Sequence, residues 1–114
     1  MLGLSANLNY YLFNGNVDLR KGIFRLCESI RQEMSLDPSD ASNVYMFMSK
    51  NRKVVKILHY ERGFYVLYEK RPVMGKFKQP VFDEVSKCYR IQWSDMAYLT
   101  ESIVVDKMYV SPKD

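Results

Sequence analysis

The chain has 114 residues, 47% of them hydrophobic and 26% charged, with a formal net charge of +4 at pH 7. These values are ordinary for a globular protein and leave room for one domain, residues 1–114, with one modest core. They exclude a low-complexity or repeat protein, and no apolar run approaches the ~20 residues that cross a bilayer.

At the N-terminus, MLGLSANLNYYLF has no basic lead and is broken by Asn7 and Asn9, so it does not read as a signal peptide. Leu8 to Phe13 reads as a first strand, closed by the turn signal Asn14-Gly15-Asn16. A long amphipathic helix is expected from about Asp18 to Met34. In it Leu19, Ile23, Leu26, Cys27, Ile30 and Met34 recur at the spacing of one buried stripe. Asp37-Pro38 ends this region, because proline disfavours the α conformation in the residue before it.

The start of that helix holds a conflict. Arg20 and Lys21 would sit in the first turn, where the helix dipole is positive, with Gly22 behind them. Two cations beside unpaired N–H groups would suit a phosphate oxygen. The plainer alternative is that Asp18 neutralises them and Gly22 lets a neighbour pack close.

From Asn43 to Arg71 three apolar runs, NVYMFM, VVKILHY and FYVLYEK, alternate with short polar breaks, the pattern of an antiparallel meander. Lys50 to Lys53 form one turn, and Glu61-Arg62-Gly63 the other, in which Gly63 suits the positive φ of a bulged hairpin loop. Neither face of these strands is cleanly polar, so cover is expected on both sides. Between Lys50 and Lys78 stand Lys50, Arg52, Lys53, Lys56, Arg62, Lys70, Arg71, Lys76 and Lys78 against only Glu61 and Glu69. Nine cations less two acids leave +7, more than the +4 of the whole chain. Such crowding fits a polyanionic partner, although lysines at strand edges also keep sheets soluble.

Pro72, Gly75 and Pro80 punctuate the loop that follows, with Lys76-Phe77-Lys78 at its centre. A basic–aromatic–basic triplet can pair phosphates and stack a base, but Phe77 is assigned to the core. CYRIQW, Cys88 to Trp93, reads as a last strand. A short helix capped by Ser94 should then bury Met96, Leu99 and Ile103. Cys27 and Cys88, without CxxC spacing, read as buried reduced thiols in a cytoplasmic protein rather than a disulfide or metal site. His59 stands alone on a strand and reads as packing. The acids Asp18, Asp37, Asp40, Asp83, Glu84 and Asp95 fall at turns and helix starts, and no phosphate-binding loop or nucleophile elbow is present. No enzyme, metal or cofactor is therefore expected.

Several stretches occur in a specific order: Asp18-Leu19-Arg20-Lys21-Gly22, Val44-Tyr45-Met46-Phe47, Lys56-Ile57-Leu58, Gly63 to Tyr68, Lys70-Arg71 and Gly75-Lys76-Phe77. In this the chain resembles, from roughly Tyr11 to Ile103, the small accessory protein (TnpB, or second open reading frame) of the IS-sixty-six group of bacterial insertion sequences. His59-Tyr60, Gln79 and Ser102 depart from that pattern, as in a diverged branch. The resemblance implies a factor needed for transposition beside a larger transposase that carries the catalytic acids.

The combined expectation is an α+β domain: a mainly antiparallel sheet of four or five strands, the Asp18–Met34 helix on one face, and a short C-terminal helix. Its function would be that of a non-catalytic accessory factor for DNA transposition, binding DNA at insertion-sequence ends, the transposase, or both. The residues expected to meet nucleic acid are Arg20, Lys21, Lys50, Arg52, Lys53, Lys56, Lys70, Arg71, Lys76 and Lys78. The rival expectation is a protein adaptor of the transposase that never touches DNA. An enzyme acting on phosphoesters through His59 is the weakest reading.

Overall fold

A computed structural model describes residues 4–13, 18–20, 22–82, 86 and 88–104. The elements in chain order are β1 (Asn9–Phe13), α1 (Ile23–Ser29) prolonged by a π-helical turn (Ile30–Met34), β2 (Asn43–Met48), β3 (Val55–Glu61), β4 (Phe64–Lys70), β5 (Lys76–Phe77), β6 (Cys88–Ile91), α2 (Trp93–Glu101) and β7 (Ile103–Val104). Five strands form one sheet in the order β4-β3-β2-β1-β6, and β5 pairs with β7 in a separate ribbon.

The central strand β2 is apolar on both faces, as a strand covered on both sides must be. Val44 and Met46 join Tyr10, Leu12, Val55, Ile57 and Phe77 beneath Met96 and Leu99 of α2. Tyr45 and Phe47 turn the other way, to Phe13, Leu58 and to Leu26, Cys27 and Ile30 of the first helix. Seven residues of α-helix are too few to persist alone in water, so α1 depends on this packing. Leu26 and Ile30 are fully buried, each contributing about 1.5–3 kcal/mol.

The meander from β2 to β4 has the expected registers, from Val44↔His59 to Met48↔Val55 and from Val55↔Lys70 to Glu61↔Phe64. Its second turn needs no bulge. Arg62 and Gly63 both take positive φ, 50° and 87°, as a two-residue type I′ turn requires. One pair departs from the antiparallel pattern. β1 runs parallel to β2, Asn9↔Asn43 to Phe13↔Phe47, because the intervening helix carries the chain back across the face of the sheet.

Two helix expectations are corrected. The first helix spans residues 23–34 rather than 18–34, so it is short. Asp18 Oδ1 accepts the Arg20 N–H at 3.0 Å, a local turn that competes with helix. The Leu19 carbonyl, which would have bonded the Ile23 N–H, is taken by the Lys56 ammonium. Gly22 is the N-cap in extended conformation, with its carbonyl accepting from Arg25 and Leu26, so it incurs no helix-interior penalty. Of the expected stripe, Leu19, Leu26, Cys27 and Ile30 are buried, while Ile23 and Met34 are half-buried.

In α2 the cap is Gln92 rather than Ser94, and Asp95 returns a bond to the Gln92 N–H in a capping box. Met96 and Leu99 are buried as expected, but Ile103 lies exposed in β7. Phe77 is buried, and its N–H donates to the Arg52 carbonyl at 2.7 Å, joining β5 to the β2–β3 turn. Cys27 is buried and Cys88 only half-buried, both as free thiols. The Asn14-Gly15-Asn16 turn, Lys21, Asp83, Glu84 and the tail beyond Val104 lie outside the described residues.

Candidate nucleic-acid interface

Three segments far apart in sequence meet on the α1 face, at the carboxyl ends of β2 and β4. Asp18, Leu19, Arg20, Ser49, Lys50, Asn51, Val54, Lys56, Glu69 and Arg71 line a cleft of about 670 Å³. Four cations stand against two acids there, a formal charge of +2.

Each wall has a local cause. Strand alternation sends Glu69 and Arg71 to the same side of β4 and Lys70 to the other. Glu69 accepts from Arg71 Nε at 2.9 Å and lies 3.6 Å from Lys56 Nζ. The Arg71 guanidinium, and then the Lys56 ammonium, hold the Glu69 carboxyl below the usual carboxylate range. Lys50 is carried on a turn braced by its backbone: the Ser49 N–H donates to Val54 O at 2.9 Å, and Ser49 Oγ accepts from Val54 N. Arg52 takes a left-handed φ of 60° to close this turn. Opposite, Arg20 forks onto both carboxylate oxygens of Asp18 at 2.9 and 3.0 Å. Its side chain is 91% exposed, so this pair contributes little to stability and can exchange for another anion.

The ten expected contact residues therefore divide. Arg20, Lys50, Lys56 and Arg71 line the cleft. Lys53 is exposed and Arg52 half-buried on the turn beside Lys50. Neither Lys50 nor Lys53 pairs with an acid among the described residues. Lys56 differs from the rest: it is buried, its ammonium bonded to Leu19 O, so it holds the 18–20 segment to the sheet. Lys70 turns to α2 and pairs with Glu101 at 2.7 Å. Lys78 also faces α2, donating to the Tyr98 hydroxyl at 3.0 Å. Lys76 lies in β5, paired across to Val104. Lys21 lies outside the described residues, and Arg20 precedes the N-cap, so the expected pair of cations in a first helical turn is corrected.

Of the acids within the cleft, Asp18 pairs with Arg20 as the plainer alternative held, whereas Glu69 was not anticipated as part of a site. The i, i+2 spacing of Glu69 and Arg71 on one strand was the available signal for the second. His59 is not among the lining residues. It is buried, with Nε2 donating to the Ala41 carbonyl at 3.0 Å, and Nδ1 has no hydrogen-bond partner among the described residues. Burial pushes the Cys27 and Cys88 thiols up, away from the reactive thiolate. Among the described residues no three His, Cys, Asp or Glu side chains come together as a metal site would require. No helix among them is long and apolar enough to cross a membrane.

The family model described as IS66 Orf2 like protein matches residues 8–109, most of the chain. The chain belongs to the IS66 Orf2-like family. This IS66 Orf2-like chain is thus an accessory protein of an insertion sequence, from a family not known for catalysis. No curated protein and no solved structure matches it. Within the match fall all four cations of the cleft, Arg20, Lys50, Lys56 and Arg71.

Proposed function

We propose that this IS66 Orf2-like protein is a non-catalytic transposition factor that binds DNA through the Arg20–Lys50–Arg71 cleft. The observation that carries the reading is the convergence of these cations from three separate segments into one concave site. A positive cleft beside low-dielectric walls attracts phosphate more strongly than the same charges scattered over a surface. The partly exchangeable Arg20–Asp18 pair and the uncommitted Lys50 and Lys53 supply mobile contacts, while Lys56 keeps the wall in place. The DNA met in this reading is that of the insertion-sequence ends, in the bacterial cytoplasm, beside the transposase of the same element.

The test is binding of purified protein to insertion-sequence terminal DNA across a salt series, with and without transposase. Four phosphate contacts from Arg20, Lys50, Lys53 and Arg71 give an expected log–log slope of roughly −3 to −4. Arg20→Ala with Lys50→Ala should flatten that slope by about two. A salt-independent affinity, or no binding without transposase, would refute direct DNA contact.

The second reading, a protein adaptor of the transposase, draws on a different surface. Val73 and Met74 before β5 and Val81 after it are more than half exposed, and exposed apolar side chains of this kind suit a protein partner.

A further inference from the structure

Among the described residues the sheet ends on one side in β4, and within them this edge lacks the usual protections. It is seven residues long, regular from Val55↔Lys70 to Glu61↔Phe64, and its first five residues, FYVLY, carry no charge or proline. The opposite edge, β6, is only four residues long and carries Arg90.

The register decides which backbone groups of β4 are open. In a two-residue hairpin the residues flanking the turn exchange both backbone bonds. Phe64, Val66, Tyr68 and Lys70 therefore direct their N–H and C=O groups at β3, and Tyr65, Leu67 and Glu69 direct theirs outward.

From this edge we infer that two copies of the chain join, β4 to β4, about a two-fold axis through Leu67. The antiparallel register this sets has Leu67 opposite its own copy, Tyr65 opposite Glu69, Val66 opposite Tyr68 and Phe64 opposite Lys70. All seven residues overlap, and every outward N–H and C=O of β4 meets a partner. The side chains agree with it. Phe64 is 71% exposed in one copy, and in the pair its ring faces the stem and ammonium of Lys70, a favourable cation–aromatic contact. No like charges oppose one another. Moving the axis to Val66 sets Arg62 against Lys70, and moving it to Tyr65 sets Glu61 against Glu69, both unfavourable. That complementarity identifies a second copy as the occupant.

The two-fold lies normal to the sheet, so the α1 faces of both copies share one side of a ten-stranded sheet. Both basic clefts then open on that side. The dimer does not depend on what the clefts bind.

Sedimentation equilibrium over a concentration series tests it, with two variants at the exposed position 64. Wild type is expected to be a reversible dimer. Phe64→Lys sets a like charge against Lys70 twice per dimer and should weaken it about tenfold. Phe64→Glu sets a carboxylate against Lys70 and should leave the dimer as strong or stronger. Far-UV circular dichroism confirms that both variants fold. A wild type that stays monomeric up to its solubility limit overturns the inference. So does an equal effect, or no effect, of the two variants.

Discussion

The ammonium of Lys56, in the middle of the meander, donates to the carbonyl of Leu19, 37 residues earlier. That one bond helps delay the start of the first helix, fixes the 18–20 segment on the sheet and gives the cleft its floor. It also removes a lysine from the exposed set that a polyanion could reach.

Lys56→Met keeps the aliphatic stem but leaves the Leu19 carbonyl without its donor. The expected loss is about 1–3 kcal/mol, read as a lower urea midpoint with unchanged slope. Lys53→Ala, on the exposed turn, should stay within about 0.5 kcal/mol of wild type. Equal effects of the two would show that Lys56 is not a structural tether.

Tyr45 provides an alkaline limit to stability. Its hydroxyl donates to the Asp37 carbonyl at 3.0 Å and accepts from Asn43 Nδ2 at 3.2 Å, and burial pushes its pKa up to about 12. The unfolded phenol ionises near pH ~10. Its contribution is thus fully present below about pH 10 and lost as pH rises through the folded value, by about 1.4 kcal/mol per unit. Burial raises Tyr10 as well, with the same sign. Tyr45→Phe should cost about 1–2 kcal/mol at neutral pH and flatten the decline above pH ~10. Denaturation midpoints across that range provide the check.

Glu69 tempers the charge of the cleft. Its lowered pKa means that its attraction to Arg71 and Lys56 is present above pH ~4.5 and fades as pH falls through the folded value. Protonation would take the cleft from +2 to +3. Glu69→Gln imitates that state at neutral pH and should tighten DNA binding roughly 2–5-fold at fixed salt. An unchanged or weaker affinity would place the DNA contact elsewhere.

Gly75 holds the β5–β7 ribbon by being small. Its φ is +78°, and a Cβ would come within 2.5 Å of the Val104 carbonyl oxygen. Gly75→Ala should destabilise by about 1–3 kcal/mol and loosen β5, with faster amide exchange at Phe77, whose N–H bonds Arg52. A thermal melt within error of wild type would contradict the close approach.

Periodicity made much of the fold legible. The near-continuous apolar runs VKILHY and FYVLY called for strands with cover on both faces, and the stripe of Leu26, Cys27 and Ile30 for a helix packed on them. Phe77 was readable as core because a large aromatic between two cations gains more from burial than from solvent. The family too was carried by the ordered local motifs, since those depend on sequence alone.

The start of the first helix and the membership of the cleft were of another kind. From Asp18 to Gly22 Leu19 continues the helical stripe although the cations and Gly22 argue against it, and the distant Lys56 together with the Asp18–Arg20 turn withdraws the helix there. The +7 run from Lys50 to Lys78 reads as one patch. Yet alternation along β4 and the turn into β5 divide it between two faces, sending Lys70 and Lys78 to Glu101 and Tyr98 of α2. Local sequence determined the elements, because backbone periodicity acts over a few residues. Tertiary packing alone decided which charges are neighbours, because Coulomb interactions and hydrogen bonds depend on distance in space and not along the chain.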